Sequence, residues 1–230
     1  MDNVETDRIR RVYRQYYAGR YRDRWSSENP GNQRMLLERR ALLQRYLASL
    51  SPLSNRKILD VGCGTGKELL YLTELGVPEE NLYGVDLMEE RFAAVKKGHP
   101  NVNFSTANAE NLPYHDGSFD LVLLFTVFSS ILDEGSAKNV ARQVIRVLKM
   151  GGAVLLYDNR FPNPVNPHTR AVPLSLVREY FPGCPIQREN LTLLPPLARR
   201  LGKTTAALYP LLAKIPFLKT HHLLLIWKAK

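Results

Sequence analysis

The sequence predicts an α/β fold: a doubly wound sandwich around a mostly parallel seven-stranded sheet whose last strand runs antiparallel. Three observations carry that expectation. Between Lys57 and Asp158, short apolar runs alternate with stretches of helical periodicity. The first apolar run ends in a glycine turn, ILDVGCGTGKE (Ile58 to Glu68), that opens a helix. Beyond Asp158, two further strands appear with no helix signal for a crossover between them. Strands interleaved with helices make βαβ units, whose parallel sheet is covered on both faces. Right-handed crossovers then wind the units into layers.

The elements follow in chain order. Residues 7–25 read as a helix that frays at Gly19, and residues 31–49 as a second, with Met35, Leu36, Leu42, Leu43, Tyr46 and Leu47 on its apolar side. Pro52 ends it. Strands are expected at 57–61, 82–86, 102–106, 120–125 and 153–158, and helices at 65–75, 88–98 and 134–148. In the last helix Val140, Val144, Ile145 and Leu148 repeat at helical spacing. Gly151 and Gly152 read as a turn before the fifth strand. Residues 160–170 form a loop rich in proline and asparagine, 175–181 a short helix, and 186–194 and 220–228 the two final strands. Residues 195–217, between those strands, read as a mostly helical insertion.

Bulk properties narrow the function classes. A chain of 230 residues, 44% hydrophobic and 23% charged, fits one soluble domain with a buried core. The two cysteines, Cys63 and Cys184, are too far apart for a metal knuckle and too few for a disulfide framework. The start, MDNVETDRIRR, has no apolar segment of a signal peptide. The longest apolar-rich run, Leu121 to Leu132, falls well short of the roughly 18–20 residues a spanning helix needs. A cytoplasmic protein is expected, with peripheral contact at the inner membrane surface as an extension of that reading. Charge is unevenly spread. Residues 1–50 hold eleven arginines against six acids, 51–159 ten basic against fourteen acidic, and 160–230 eleven basic against two acidic. Basic flanks suit a partner with negative charge or solvated cationic faces.

The glycine turn narrows them further. A phosphate-cradling loop of the GxxxxGK[ST] type is excluded, because position 61 is valine and Lys67 is followed by Glu68. The dinucleotide pattern GxGxxG is missed by one residue, since the glycines are Gly62, Gly64 and Gly66. Asp60, directly before the turn, would repel a pyrophosphate and suits a cationic or amine group. Asp86 ends the second strand, twenty residues past Gly66, where an acid accepts both hydroxyls of a ribose.

Taken together, ILDVGCGTG, YGVDLM, NAENLPYHDGSFDLV and RVLKMGGAVLLYD, in that order over roughly residues 55–160, resemble the class I S-adenosylmethionine-dependent methyltransferases (type 11-like). The resemblance implies a Rossmann-like core at 53–160 that binds S-adenosylmethionine and releases S-adenosylhomocysteine. It further implies an N-terminal helical cap at 1–52 and an acceptor-binding part at 161–230. Gly62, Cys63, Gly64 and Gly66 would approach the methionine part, Cys63 as a small filler. Asp60 would sit near the amine, and Asp86 would hold the ribose diol with Leu87 beside the adenine. Asn108, Ala109 and Glu110 would flank the base; the family often has Asp where this chain has Asn108. Phe125 and Thr126 would lie near the methyl. Lys67 reads as an exposed first-turn residue.

Acceptor-side expectations rest on DNRFPNPVNPHTR, at the carboxyl ends of the strands where such sheets bind ligands. Asp158, Arg160 and His168 are the catalytic candidates, His168 as base because histidine titrates near neutrality. Asn163 and Asn166, with Tyr13, Tyr17, Tyr21 and Trp25 of the N-terminal segment acting as a lid, are the acceptor-binding candidates. His221 and His222 are neighbours in a strand and point to opposite faces, so no metal is expected. Leu197, Leu201, Leu208, Leu211 and Leu212 beside Arg199, Arg200, Lys203 and Lys214 suit an amphiphilic, anionic or lipid-linked acceptor or a membrane interface. The loop and tail also look like those of polysaccharide and glycolipid methyltransferases, which implies O-methylation of a sugar hydroxyl. A nucleic-acid methyltransferase is the rival on charge, although no NPPY-type tetrapeptide follows the fourth strand, where FTVF stands. A cofactor-binding homologue without catalysis is the third reading.

Overall fold

The computed structural model describes residues 4–18 and 26–229. Seven strands form one sheet in the order β3-β2-β1-β4-β5-β7-β6. They are β1 (Ile58–Val61), β2 (Leu82–Asp86), β3 (Asn103–Thr106), β4 (Phe119–Phe125), β5 (Leu148–Asn159), β6 (Ile186–Leu193) and β7 (Lys219–Trp227). Neighbours from β3 to β5 pair in parallel, and β7 runs antiparallel to both β5 and β6. The expected α/β sandwich with an antiparallel last strand is therefore present.

The period of two along each strand sorts the core into two layers. Leu59, Val61, Val122, Leu124, Val154, Leu156, Leu224 and Ile226 pack on one face under α5 (Glu134–Val147) and α6 (Leu174–Tyr180). Ile58, Leu121, Leu123, Leu155, Leu223 and Leu225 pack on the other. That face lies under α2 (Pro30–Ala48), α3 (Lys67–Glu74) and α4 (Glu89–Gly98). Local chemistry sets the helix starts. The Asn29 side chain accepts from the backbone N–H of Gly31 and Asn32, with Pro30 in the first turn of α2. Asp133 caps α5 by accepting from Ser136 N. The helix α3 begins at Lys67 rather than at the expected Thr65, because Gly66 has φ +69° and cannot continue a right-handed helix.

Two expectations are corrected. The first helix, α1, is described over Val4–Ala18 and starts ahead of the expected residue 7; residues 19–25 of the expected span, Tyr21 and Trp25 among them, and the side chain of Tyr17 lie outside the described residues. Gly151 and Gly152 do not separate the strand from its helix. β5 starts at Leu148, and the ladder to β4 shifts register between Phe119 and Leu121, with Gly151 at φ +71° taking up the irregularity.

Between β6 and β7 the insertion folds into α7 (Pro195–Arg200) and α8 (Thr205–Leu212). It docks on α2 through Met35, Leu193, Ala198 and Tyr209. Glu38 of α2 clamps the joint: its Oε2 accepts from Thr192 N at 2.9 Å and from the Tyr209 hydroxyl at 2.6 Å. Burial alone costs a tyrosine hydroxyl one or more partners, and the Glu38 carboxylate replaces them.

Candidate active site

A cavity of about 290 Å³ opens at the carboxyl ends of β1, β2 and β4. Its floor is the glycine turn. Gly62, Gly64 and Gly66 all have positive φ, at +73°, +54° and +69°. The turn is held by Gly62 N and Cys63 N, both donating to Val85 O, at 2.8 and 3.0 Å. A side chain on Gly64 would strain the backbone, and its Cβ would come within 2.5 Å of Arg91 Nη2. The cradle is thus a backbone turn that glycine allows, with the Arg91 guanidinium lying against Gly64. Cys63 lines it at 8% exposure, and burial pushes its thiol far above the usual range, so it stays protonated.

Five acids line this space: Asp60, Glu68, Asp86, Glu110 and, from α1, Glu5. Asp86, 4% exposed, accepts from Gly64 N at 2.9 Å and from Met88 N at 3.0 Å, and pairs with Arg91 Nη1 at 2.7 Å. Arg91 in turn lies 4.7 Å from the ring centre of Tyr13 on α1. Asp60 is 2% exposed; burial, with the negative charges of Glu68 and Asp86, pushes its carboxyl well above the ordinary range. Glu68 Oε1 pairs with Arg39 Nη2, while Glu68 Oε2 is buried without a hydrogen-bond partner. Glu110 stands at the far side, with its Oε2 accepting from Asn139. An unsatisfied buried carboxylate oxygen beside a second buried acid is a receptor for a donor cation. Arg39 lies against the Phe125 and Tyr157 rings, at 5.3 and 5.1 Å.

The residues expected on the cofactor side lie together. Leu87, Asn108, Ala109, Glu110, Phe125 and Thr126 all line the cavity. Asn108 Oδ1 accepts from Glu110 N at 2.9 Å, and its amide donates to Thr6 of α1 at 3.0 Å. Thr126 is a non-glycine residue at φ +58°, a strained conformation of the kind that collects at functional sites. Lys67 is exposed and stands at the rim.

Helix α1 forms the roof, with Glu5, Thr6, Ile9 and Tyr13 lining the cavity. Glu5 accepts from Leu132 N at 2.6 Å and from Arg8 at 2.7 and 2.8 Å. Arg8 also donates to Ser130 O at 2.6 Å. The Ser130 hydroxyl donates to Thr126 O at 3.0 Å, so the Tyr13 hydroxyl, 3.0 Å away, is the donor to Ser130 Oγ.

The loop candidates fall outside the cavity lining. Asp158 is fully buried; its Oδ2 accepts from Ser129 N at 3.0 Å and its Oδ1 from Asn159 N at 2.8 Å. Burial pushes its carboxyl up to about 6. It positions the turn after β4. Arg160 donates to Lys219 O at 2.7 Å and so ties the loop to the insertion. Asn163 is exposed and caps its own turn by accepting from Val165 N. Asn166 accepts from His168 N at 3.1 Å and from the Tyr16 hydroxyl at 3.0 Å, which joins the loop to α1. His168 is half-buried beside that contact. His221 and His222 do point to opposite faces, His221 stacking on Tyr157 at 4.9 Å.

Sequence reasoning missed Glu68, Arg39, Arg91 and the α1 residues Glu5 and Thr6. Glu68 sat inside the quoted turn, one residue past Lys67, and an acid in the first turn of a helix reads as dipole compensation. Arg39 and Glu68 meet only because α2 packs across α3.

Residues 58–152 match the model of a family described as a methyltransferase domain. The phthiotriol/phenolphthiotriol dimycocerosates methyltransferase 1 of Mycobacterium ulcerans is 35% identical over 121 residues, 49% of this chain and 41% of that protein. The demethylmenaquinone methyltransferase of Lactococcus lactis is 31% identical over 128 residues, 54% of this chain and 48% of that protein. The chain thus matches somewhat less than half the length of these curated relatives. Among solved structures, the YcgJ protein from Bacillus subtilis superposes with a TM-score of 0.59 at 22% identity, over 82% of this chain and 98% of that one. A SAM-dependent methyltransferase from Archaeoglobus fulgidus gives 0.58 at 17% identity, over 82% and 92%. These two likenesses establish the fold.

Proposed function

We propose that this chain, a class I S-adenosylmethionine-dependent methyltransferase by its 58–152 domain and its fold, transfers a methyl group to a hydroxyl of a small or lipid-linked acceptor, with sugar hydroxyls foremost. The observation that carries the reading is the cavity itself: a floor of positive-φ glycines lined by the strand-end acids Asp60 and Asp86 and by Glu68, whose Oε2 is buried without a hydrogen-bond partner.

The residues fit S-adenosylmethionine. Glu68 Oε2 is the buried acceptor that lacks a donor, and the cofactor's ammonium supplies one. Asp60, whose raised pKa reflects burial and the neighbouring acids, regains its charge once a cation lies beside it. Arg39, opposite, can take the methionyl carboxylate. Asp86 would accept the ribose hydroxyls. Leu87, Asn108 and Ala109 border the adenine. When bound, the cofactor supplies a methyl carbon on a positively charged sulfur.

The chain then has three tasks. Phe125 and Thr126 hold the methyl end against the turn after β4. The roof made by α1 excludes water and leaves Tyr13 over the entrance. The acceptor hydroxyl would have to be held against the methyl group that the cofactor would supply; orientation of that kind lowers a barrier by roughly 7–11 kcal/mol. As it takes the methyl group the hydroxyl would give up its proton to a base. His168, on the loop that α1 touches through Asn166, is the base in this reading.

Lipid-linked acceptors are favoured by the relatives' names, which specify dimycocerosates and demethylmenaquinone. The test is transfer of labelled methyl from S-adenosylmethionine into lipid, small-molecule and RNA fractions. Incorporation into a polar-lipid or sugar fraction is expected. Incorporation into RNA alone would replace this acceptor by the nucleic-acid reading that the basic flanks favour. With the acceptor in hand, His168→Ala should lower kcat by about 10²–10⁴-fold without changing cofactor affinity; an unchanged kcat would remove His168 from the mechanism.

A further inference from the structure

The carboxyl edge of the sheet carries, besides the cavity, an apolar surface for which the reaction has no use. Strand β5 ends there at Asn159, β6 at Leu193, and β7 starts from it at Lys219. The loop after β5 and the α7–α8 insertion therefore meet on one side. Arg160 N donates to Thr220 O at 2.9 Å, Arg160 Nη1 to Lys219 O at 2.7 Å, and Leu194 N to Leu218 O at 2.8 Å. The five insertion leucines expected to share one apolar face divide. Leu197, Leu201 and Leu212 turn inward against the cluster on α2. Leu208 and Leu211, three residues apart on α8, turn outward at 41% and 59% exposure. Phe217 follows at 74%, and Phe161, stacked on Arg160 at 4.7 Å, stands at 44% across the joint.

Single exposed leucines need no explanation, but large apolar side chains gathered on one edge and rimmed by cations do. Arg200, Lys203 and Lys214 are exposed on the same insertion. No acidic residue occurs from Leu191 to Lys230. A short helix with Leu208 and Leu211 outward, Lys203 and Lys214 just beyond its ends and no acidic residue in its stretch of sequence has the composition of an interfacial anchor. A second copy of the chain would have to cover this patch with a region of opposite charge, and the patch carries none for an isologous contact.

We propose that the surface formed by Phe161, Leu208, Leu211 and Phe217, with Arg200, Lys203 and Lys214, docks on an anionic lipid bilayer. The phenylalanine and leucine side chains enter the headgroup boundary while the cations meet the lipid charges. The docked edge is the one onto which the cavity opens, and α1 reaches the intervening loop through Tyr16 and Asn166. A lipid-borne substrate would then meet the site without leaving the membrane. This step rests on the acceptor reading above; the docking does not.

The test is cosedimentation of the full chain with phosphatidylglycerol-containing vesicles and with pure phosphatidylcholine vesicles, at low and physiological ionic strength. Two double variants accompany it, Leu211→Ser with Phe217→Ser, and Lys203→Glu with Lys214→Glu. S-adenosylmethionine calorimetry on each variant reports that the fold is intact and is read separately. Salt-sensitive binding to the anionic vesicles alone is expected, weakened about tenfold or more by each double variant. Failure to sediment with anionic vesicles while cofactor binding is intact would overturn the proposal. So would equal association in both variants, a concentration-dependent dimer that the serine variant abolishes, or RNA retention that only the glutamate variant loses in place of vesicle binding.

Discussion

Asp86 is a buried carboxylate with every charge contact supplied from within the chain. In the free protein it is held by Gly64 N, Met88 N and Arg91, so its charge is balanced before a ligand arrives. Its place at the end of β2, a fixed distance past the glycine turn, was readable because strand, turn and helix are contiguous. Glu68 was not, because its meaning comes from Arg39, 29 residues earlier. Glu68→Gln is expected to weaken S-adenosylmethionine binding about tenfold, or roughly 1.4 kcal/mol, while leaving methylthioadenosine, which lacks the amino-acid tail, unaffected. Equal losses for both ligands would assign Glu68 to the fold instead of to the ammonium. The buried histidines make a pH statement. Burial, with the charges of Arg160 and Arg188, lowers His222 to about 4, and burial lowers His221 to about 3. A depressed folded pKa stabilises the fold above the unfolded value near 6.5 and loses that contribution as pH falls through the folded one. Asp158 acts in the opposite sense: its raised value near 6 favours the fold at low pH and loses that as pH rises through 6. His222→Gln should therefore flatten the fall of Tm between pH 6.5 and 4. A slope identical to that of the unaltered protein would show that His222 does not titrate with folding.

At the scale of elements, α1 is where local and tertiary information part. Its arginines and tyrosines announce a helix, and the notion of a lid came from the resemblance. What fixes it in place is a set of groups far along the chain: Leu132 N and Ser130 O at the turn after β4, and Asn108 after β3. Glu5 is central. Burial alone would raise its carboxyl, but the Arg8 hydrogen bond and the Leu132 N–H outweigh it and hold it below the usual range. Glu5→Ala should cost about 1 kcal/mol of docking and raise amide exchange through α1 and residues 130–133, with the sheet unchanged. Exchange confined to the rest of the molecule would mean that α1 is held by other contacts. The alternation of strands and helices and the antiparallel last strand were legible in the sequence, yet β5 was read too short. Gly151 looks like a turn in sequence, whereas here its positive φ accommodates a shift in register within the strand. The insertion was expected to be helical, but its inner and outer leucines could not be told apart until Tyr209 and Glu38 fixed which side faces α2.

Over the whole molecule, the charge division seen in the sequence becomes spatial. The mildly acidic middle forms the cavity with Asp60, Glu68 and Asp86, and the acid-free tail forms the exposed edge beside it. The central claim is that this cavity binds S-adenosylmethionine through its two acidic ends. The measurement that meets it most directly is calorimetry of S-adenosylmethionine and S-adenosylhomocysteine on the full chain and on Asp86→Ala. One cofactor per chain is expected, with the variant weaker by tenfold or more, about 1.4 kcal/mol at the least. No binding heat from either ligand, or an affinity unchanged in Asp86→Ala, would contradict it.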